Sequence, residues 1–384
     1  MRRLTKKSTW LLVGLAGAVT LSACGADPVD ETFEEMDMDP PQINYLDEDE
    51  ELDLEVMEEG IEAMEEEVED EIGEPWSTEE GVDEKGGAVD DDVVEETAMS
   101  ELYLVDRNGL VAPQTFNLPA SENDVAQKVS YLIQGGPISE MLPNGFQAVL
   151  PPGTEVINAT VNQGVATINF NEEFADYRPE HELQVLQSLT WTVTQMEGVD
   201  RVRIQMDGED VEEMPQRGTP IVEGYTRAHG INLEMSDHAD ISSTTSLVVY
   251  FLAQDSEQTY YVPVTRRVDQ QADPYEAVMA ELLKGPDMMS NLLTDFRQEV
   301  ELVSEPVLQN GTLTLNFNEA VLSQMQGTAM SENVLNMIVL SMTEQNDVEN
   351  VSVQVDSEST VLVSTGETLT EPVSRPSMVN TGEY

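Results

Sequence analysis

Apolar and polar residues alternate twice in this chain with the same punctuation. The run Val156-Ile157-Asn158-Ala159-Thr160-Val161-Asn162 meets Gln163-Gly164, alternates again and stops at Asn169-Phe170-Asn171. The stretch from Val300 to Asn318 repeats the plan, with Asn310-Gly311 at the turn and Asn316-Phe317-Asn318 at the stop. A period of two on either side of such a turn predicts a β-hairpin. The flanks repeat as well, which predicts a duplicated domain rather than a duplicated hairpin.

Before the first hairpin, Leu102–Val105 predicts a strand, and Ser121 with Asp124 predicts a helix start. Val125, Val129, Leu132 and Ile133 then form one apolar face, and Gly135-Gly136-Pro137 stops it. The second repeat opens on Leu247–Leu252. Its helix starts at Asp273-Pro274-Tyr275-Glu276, an Asp cap with Pro in the first turn, and ends at Lys284-Gly285-Pro286. After each hairpin a second helix is predicted. Leu183, Leu186, Leu189, Val193 and Met196 line the first, and Val334, Leu335, Ile338, Val339 and Met342 the second. Strands Val202–Asp207 and Val351–Asp356 close the repeats. Strand, helix, hairpin, helix, strand, with one apolar face per strand, predicts an α+β fold of two tandem two-layer sandwiches. Their bounds are 101–215 and 245–365, with a connector at 216–244 and a polar tail at 366–384 that has little to fold on. Each repeat is expected to fold by itself.

Residues 1–24 read as an export signal: Arg2, Arg3, Lys6 and Lys7, then an apolar stretch too short to span a bilayer as a permanent helix. It ends in Leu21-Ser22-Ala23-Cys24-Gly25, which resembles a bacterial lipobox, and this implies lipid on the Cys24 thiol. Residues 25–100 are dominated by Asp and Glu and are expected to be a disordered acidic tether. With one cysteine in the chain, no internal disulfide forms.

Seventeen Lys and Arg stand against 76 Asp and Glu, a net charge of −59. Such a chain is a poor ligand for nucleic acid or anionic membrane surfaces. The acidity fits either a docking surface for a basic partner or adaptation to a saline or alkaline medium. Copies this acidic repel, so any homo-oligomer is expected to depend on salt.

No catalytic set, metal site or cofactor site is expected. His229, Asp237, His238 and Asp240 cluster in the connector without a ligand spacing such as HExxH, and they read as solvated residues. The polar residues repeated in a fixed frame are Asn169 and Asn171 around Phe170, and Asn316 and Asn318 around Phe317. A sugar or peptide contact is one reading. The stronger one is structural, with Phe inward and Asn bonding backbone at the strand-to-helix corner.

The helix ends at Gly136-Pro137 and Gly285-Pro286, the loop Leu150-Pro151-Pro152-Gly153-Thr154, and the hairpins ending in Asn-Phe-Asn together resemble the GerM domain. The second copy has Phe296-Arg297-Gln298-Glu299 in place of Pro-Pro-Gly-Thr. Two such domains behind a lipobox are similar to the layout of sporulation and spore germination lipoproteins of that family. The resemblance implies a ring-building-like α+β domain and a non-enzymatic role on the outer face of the cell membrane. It also implies exported protein partners, including the channel complex between mother cell and forespore. A wall- or solute-binding lipoprotein is the alternative reading, and a peptidoglycan hydrolase a more distant one.

Overall fold

The computed structural model describes residues 97–121, 123–234, 243–255, 258–322 and 328–381; Cys24, the expected tether, Asp237, His238 and Asp240 lie outside these ranges. The first repeat begins with β1 (Thr97–Val105) and β2 (Val111–Pro119), paired antiparallel over their whole length. Helix α1 (Asp124–Ser130) follows, then the hairpin β3 (Val156–Asn162) and β4 (Val165–Phe170). Helix α2 (Glu182–Val193) leads to β5 (Arg201–Met206) and the short β6 (Glu209–Asp210). Strands β3-β4-β5-β6 form one sheet, with β4 parallel to β5 and antiparallel to β3. At the β3–β4 turn Gln163 and Gly164 have φ of 50° and 81°, the paired positive values that a type I′ hairpin requires.

The second repeat follows the same order. It has β7 (Thr244–Gln254) paired with β8 (Thr259–Asp269), α3 (Pro274–Lys284), and β9 (Val307–Gln309) with β10 (Thr312–Phe317). After β11 (Ala329–Met330) come α4 (Glu332–Met342) and β12 (Asn350–Val355), which runs parallel to β10. Strands β13 (Val361–Val363) and β14 (Thr368–Leu369) join β11, and β15 (Val373–Ser374) adds to β12. The fold is α+β in tandem.

Each repeat has its own core, one around Phe170, Leu186 and Leu189, the other around Phe317, Ile338 and Val339. Helix α2 packs on both β1 and β5 and is buried on nearly all sides, which is why Ser188, Thr190 and Thr192 replace charges on it.

The structure differs from these expectations at several places. Each opening strand is half of a hairpin, paired along its length with β2 or β8. Both are covered on two faces, so their burial runs nearly unbroken and the alternation that marks a half-exposed strand is absent. Asn123, not Ser121, caps α1, its Oδ1 accepting from the Ala126 amide at 3.3 Å. The helix ends at Ser130, and Leu132 instead offers its carbonyl to the amides of Val149 and Leu150. Leu183 points outward while its neighbour Glu182 is buried, since the carboxylate finds five hydrogen-bond donors inside. Finally, 216–234 is no loose connector and 366–381 no free tail: Ile231 and Val379 are core residues of the folded body.

Candidate functional site at the junction of the repeats

A second repeated motif lies in the segments that follow the two repeats. Arg227-Ala228-His229-Gly230-Ile231-Asn232 follows the first repeat and Arg375-Pro376-Ser377-Met378-Val379-Asn380 the second. Arg stands five residues before Asn in both, and an aliphatic residue directly precedes the Asn. The two Asn residues, with φ of 44° and 55°, fasten hairpin β1–β2 to hairpin β7–β8. The Asn232 Oδ1 accepts from the Val111 amide at 2.8 Å, and its Nδ2 donates to the carbonyls of Val111 and Pro263, both at 2.7 Å. Reciprocally, the Asn380 Oδ1 accepts from the Tyr261 amide at 2.7 Å, and its Nδ2 donates to the carbonyls of Tyr261 and Pro113, both at 2.8 Å.

The preceding residues repeat the reciprocity. The Ile231 amide donates to Thr265 Oγ1 at 2.8 Å and the Val379 amide to Thr115 Oγ1 at 2.8 Å. Each repeat thus treats the other as one subunit of a two-fold dimer treats its partner.

The paired arginines meet at a polar centre. Glu344 Oε2 accepts from Arg227 at 3.0 Å, while its Oε1 accepts from Arg375 at 3.1 Å and from the Tyr250 hydroxyl at 2.9 Å. Arg375 also reaches Glu101, and Arg227 lies 4.4 Å from the Trp191 ring centroid. Burial alone would raise the Glu344 carboxyl, but the two guanidiniums beside it hold it below the usual carboxylate range. Two cations and two carboxylates balance here. The arrangement is suited to holding two domains at a fixed angle, and its ionisable groups are spent on one another.

The Asn-Phe-Asn corners lie away from this centre. Phe170 and Phe317 are fully buried. The Asn171 Oδ1 accepts from the Glu155 amide at 2.9 Å and its Nδ2 donates to the Gly153 carbonyl at 2.9 Å. Asn318 does the same with the Glu301 amide and the Glu299 carbonyl, at 3.2 and 2.8 Å, although Pro-Pro-Gly-Thr is missing there. Asn169 and Asn316 each accept, at 2.9 Å, from a turn amide beyond the closing strand, that of Gly208 or Ser357. His229 is exposed, its Nδ1 3.1 Å from the Thr226 amide and its ring stacked on Tyr225. Among the described residues no group of His, Cys, Asp or Glu is placed to hold a metal ion, and no helix is long and apolar enough to cross a membrane.

Comparison with known proteins agrees with the duplication. A family profile, Germane, described as sporulation and spore germination, matches residues 101–212 and 248–361. The spore germination protein GerM of Bacillus subtilis (strain 168) is 43% identical over 376 residues, 96% of this chain and 96% of that protein. The solved tandem GerMN domains of the sporulation protein GerM from Bacillus subtilis cover 75% of this chain and all of theirs, at 47% identity and a TM-score of 0.70. Two matched domains and a relative this similar over nearly its whole length place the chain in one family. It belongs to the Germane family of sporulation and spore germination proteins.

Proposed function

We propose that this protein is a lipid-anchored, non-enzymatic scaffold on the extracytoplasmic face of the cell membrane, acting in sporulation and spore germination. The observation that carries this reading is the reciprocal junction. The polar groups best placed for chemistry, Glu344, Arg227, Arg375 and Tyr250, are consumed in fixing one repeat against the other. What results is a rigid body presenting two related domains at a set spacing, a form suited to holding other proteins. Lipid on Cys24 would anchor it, and its partners would be exported proteins, the mother cell–forespore channel complex among them.

Cross-linking in sporulating cells tests the partner: capture of channel components supports the scaffold, and turnover of peptidoglycan by the purified chain overturns it. Fatty-acid labelling tests the anchor, which fails if Cys24→Ser is labelled as strongly as the unaltered chain.

A further inference from the structure

The junction is reciprocal in its backbone contacts but not in the side chains around them. Between Pro263 and Thr265 on β8 stands Val264, packed in the core of the second repeat. The matching residue on β2, between Pro113 and Thr115, is Gln114. It is only 2% exposed, and its carboxamide makes no hydrogen bond to the side chains and backbone of the described residues. Its polar atoms are left to face open space rather than the packed core. Gln114 lines a cavity of about 290 Å³ where the two repeats and the segment 378–381 meet.

The helices differ at the junction as well. Tyr103 and Tyr250 donate their amides to Thr192 and Ser341, both at 2.9 Å. This aligns α2 with α4 and sets Gln184 and Gln187 opposite Asn333 and Asn336. In the first repeat the longer side chains reach the junction: Gln184 donates to the Gly109 carbonyl at 2.7 Å and Gln187 accepts from the Asn232 amide at 3.4 Å. In the second, the shorter pair stops at the Tyr261 hydroxyl, 3.2 Å from Asn333 and 3.0 Å from Asn336. The phenol of Tyr261, matched by Val111 in the first repeat, takes the place of the two missing methylenes.

The walls restrict the chemistry of a ligand. Phe146 stands edge-on to Tyr260 at 5.0 Å, and Tyr261, Asn144, Gln258 and Glu332 line the remainder with Gln114. Asp255, also at the wall, is paired with Arg107. Glu332 and the net charge of −59 disfavour phosphates and other anions. The Gln114 amide both donates and accepts, so it is best matched by a hydroxyl or another amide rather than by a cation. Aromatic surface beside amides suits a ligand with apolar faces and a polar rim.

We propose that this cavity binds a neutral sugar ring of a glycan chain, with Gln114 bonding a hydroxyl or acetamido group at its floor. The proposal goes beyond the scaffold reading and does not depend on it.

Saturation-transfer NMR on the purified full-length chain, with the tetramer of N-acetylglucosamine and with maltotetraose as probes, tests it. Transfer to ring protons of either probe is expected, and the stronger one reports whether the acetamido group is read. Gln114→Ala should weaken the signal at least fivefold. Asn144→Ala, at the exposed rim, should weaken it as well without shifting thermal unfolding, which separates loss of binding from loss of fold. Absence of transfer to both probes, or transfer unchanged in both variants, overturns the proposal. Neither result bears on the cross-linking that tests the scaffold.

Discussion

The two repeats share the contacts that fix backbone at their corners and at the junction, and differ in those that fix charge. Thr192 and Ser341 cap the same strand amide. Asn171 and Asn318 close the same corner, and Asn232 and Asn380 tie the same two hairpins. Where Glu344 stands in the second repeat, however, the first has Gln195, and where Glu182 is buried in the first, the second has Ser331. Duplication copies a backbone contact freely, because amides and carbonyls recur wherever the fold recurs. A carboxylate at a reciprocal centre does not copy freely. Glu at 195 would set a third acid beside Glu101 and Glu344 with the same two arginines to neutralise them. Similar repeats joined face to face are therefore expected to diverge first where ionisable groups meet.

The largest effects should come from the matched aromatics. Phe170→Ala and Phe317→Ala are each expected to cost about 3–5 kcal/mol. Phe170 should stand at the upper end, since it also stacks on Phe174 at 4.4 Å, a contact worth about 0.5–1.5 kcal/mol beyond its area. Because residues on each side of the junction hold the other, both variants should lower one shared transition in chemical denaturation. Two separate transitions would break the reciprocal picture.

Glu344→Ala comes next, at about 3 kcal/mol, the lower end for breaking a buried pair. The side chains of Arg227 and Arg375 are 28% and 23% exposed, so each can turn toward water once the carboxylate is gone. Gln195→Ala, at the matching place, should cost about 1 kcal/mol. Equal losses at the two positions, measured by urea unfolding, would mean that the charge asymmetry is without consequence.

The parts of this fold that were legible in the sequence are those whose signal is local. The β3–β4 hairpin announces itself by a period of two and a Gln-Gly turn. Helix α3 does so through Asp273, whose carboxylate accepts from the Tyr275 and Glu276 amides, both at 3.0 Å. Strands β2 and β8 were hidden by their two covered faces. The Arg227–Asn232 and Arg375–Asn380 motifs were visible as a repeat, yet they lie in polar segments whose few apolar residues gave no period. Their meaning depends on a partner strand from the other repeat, a contact no local pattern encodes. Gln114 illustrates the same limit. A Gln in a Pro-Gln-Thr sequence reads as surface until the opposite hairpin is placed over it.

Asn232→Ala and Asn380→Ala should each cost about 2 kcal/mol, for backbone groups left unsatisfied in a half-buried place. If the junction is as reciprocal as its distances indicate, the two losses will agree within about 0.5 kcal/mol, the scatter with which independent effects add. A double variant that loses more than the sum would show that one staple suffices to keep the hairpins together.

The smallest effect is confined to acid and separates the repeats once more. Glu182 is fully buried and accepts from the Thr219 amide and hydroxyl, the Gln216 and Arg217 amides and the Tyr177 hydroxyl. Burial alone would raise its pKa, but these bonds outweigh it and hold the carboxyl below the usual range. A group depressed in the folded state binds its proton more readily when unfolded. Its contribution is therefore complete above the ordinary carboxylate pKa and disappears as pH falls through the folded value. Glu182→Gln should accordingly be less stable than the unaltered chain at neutral pH, and the gap should narrow in acid. Ser331→Ala, at the matching position just before α4, removes only a hydroxyl that donates to the exposed Asp295 carboxylate at 2.9 Å, so its cost should change less over the same range. Glu344 follows the same sign and loses stability in acid in all these proteins, which is why the gap between variants, rather than the acid limb itself, is the measurement. A gap for Glu182→Gln that held constant down to about pH 3, well below the ordinary Glu value, would mean that folding does not change this carboxyl's affinity for its proton, and that the first repeat has no acid-sensitive anchor of its own.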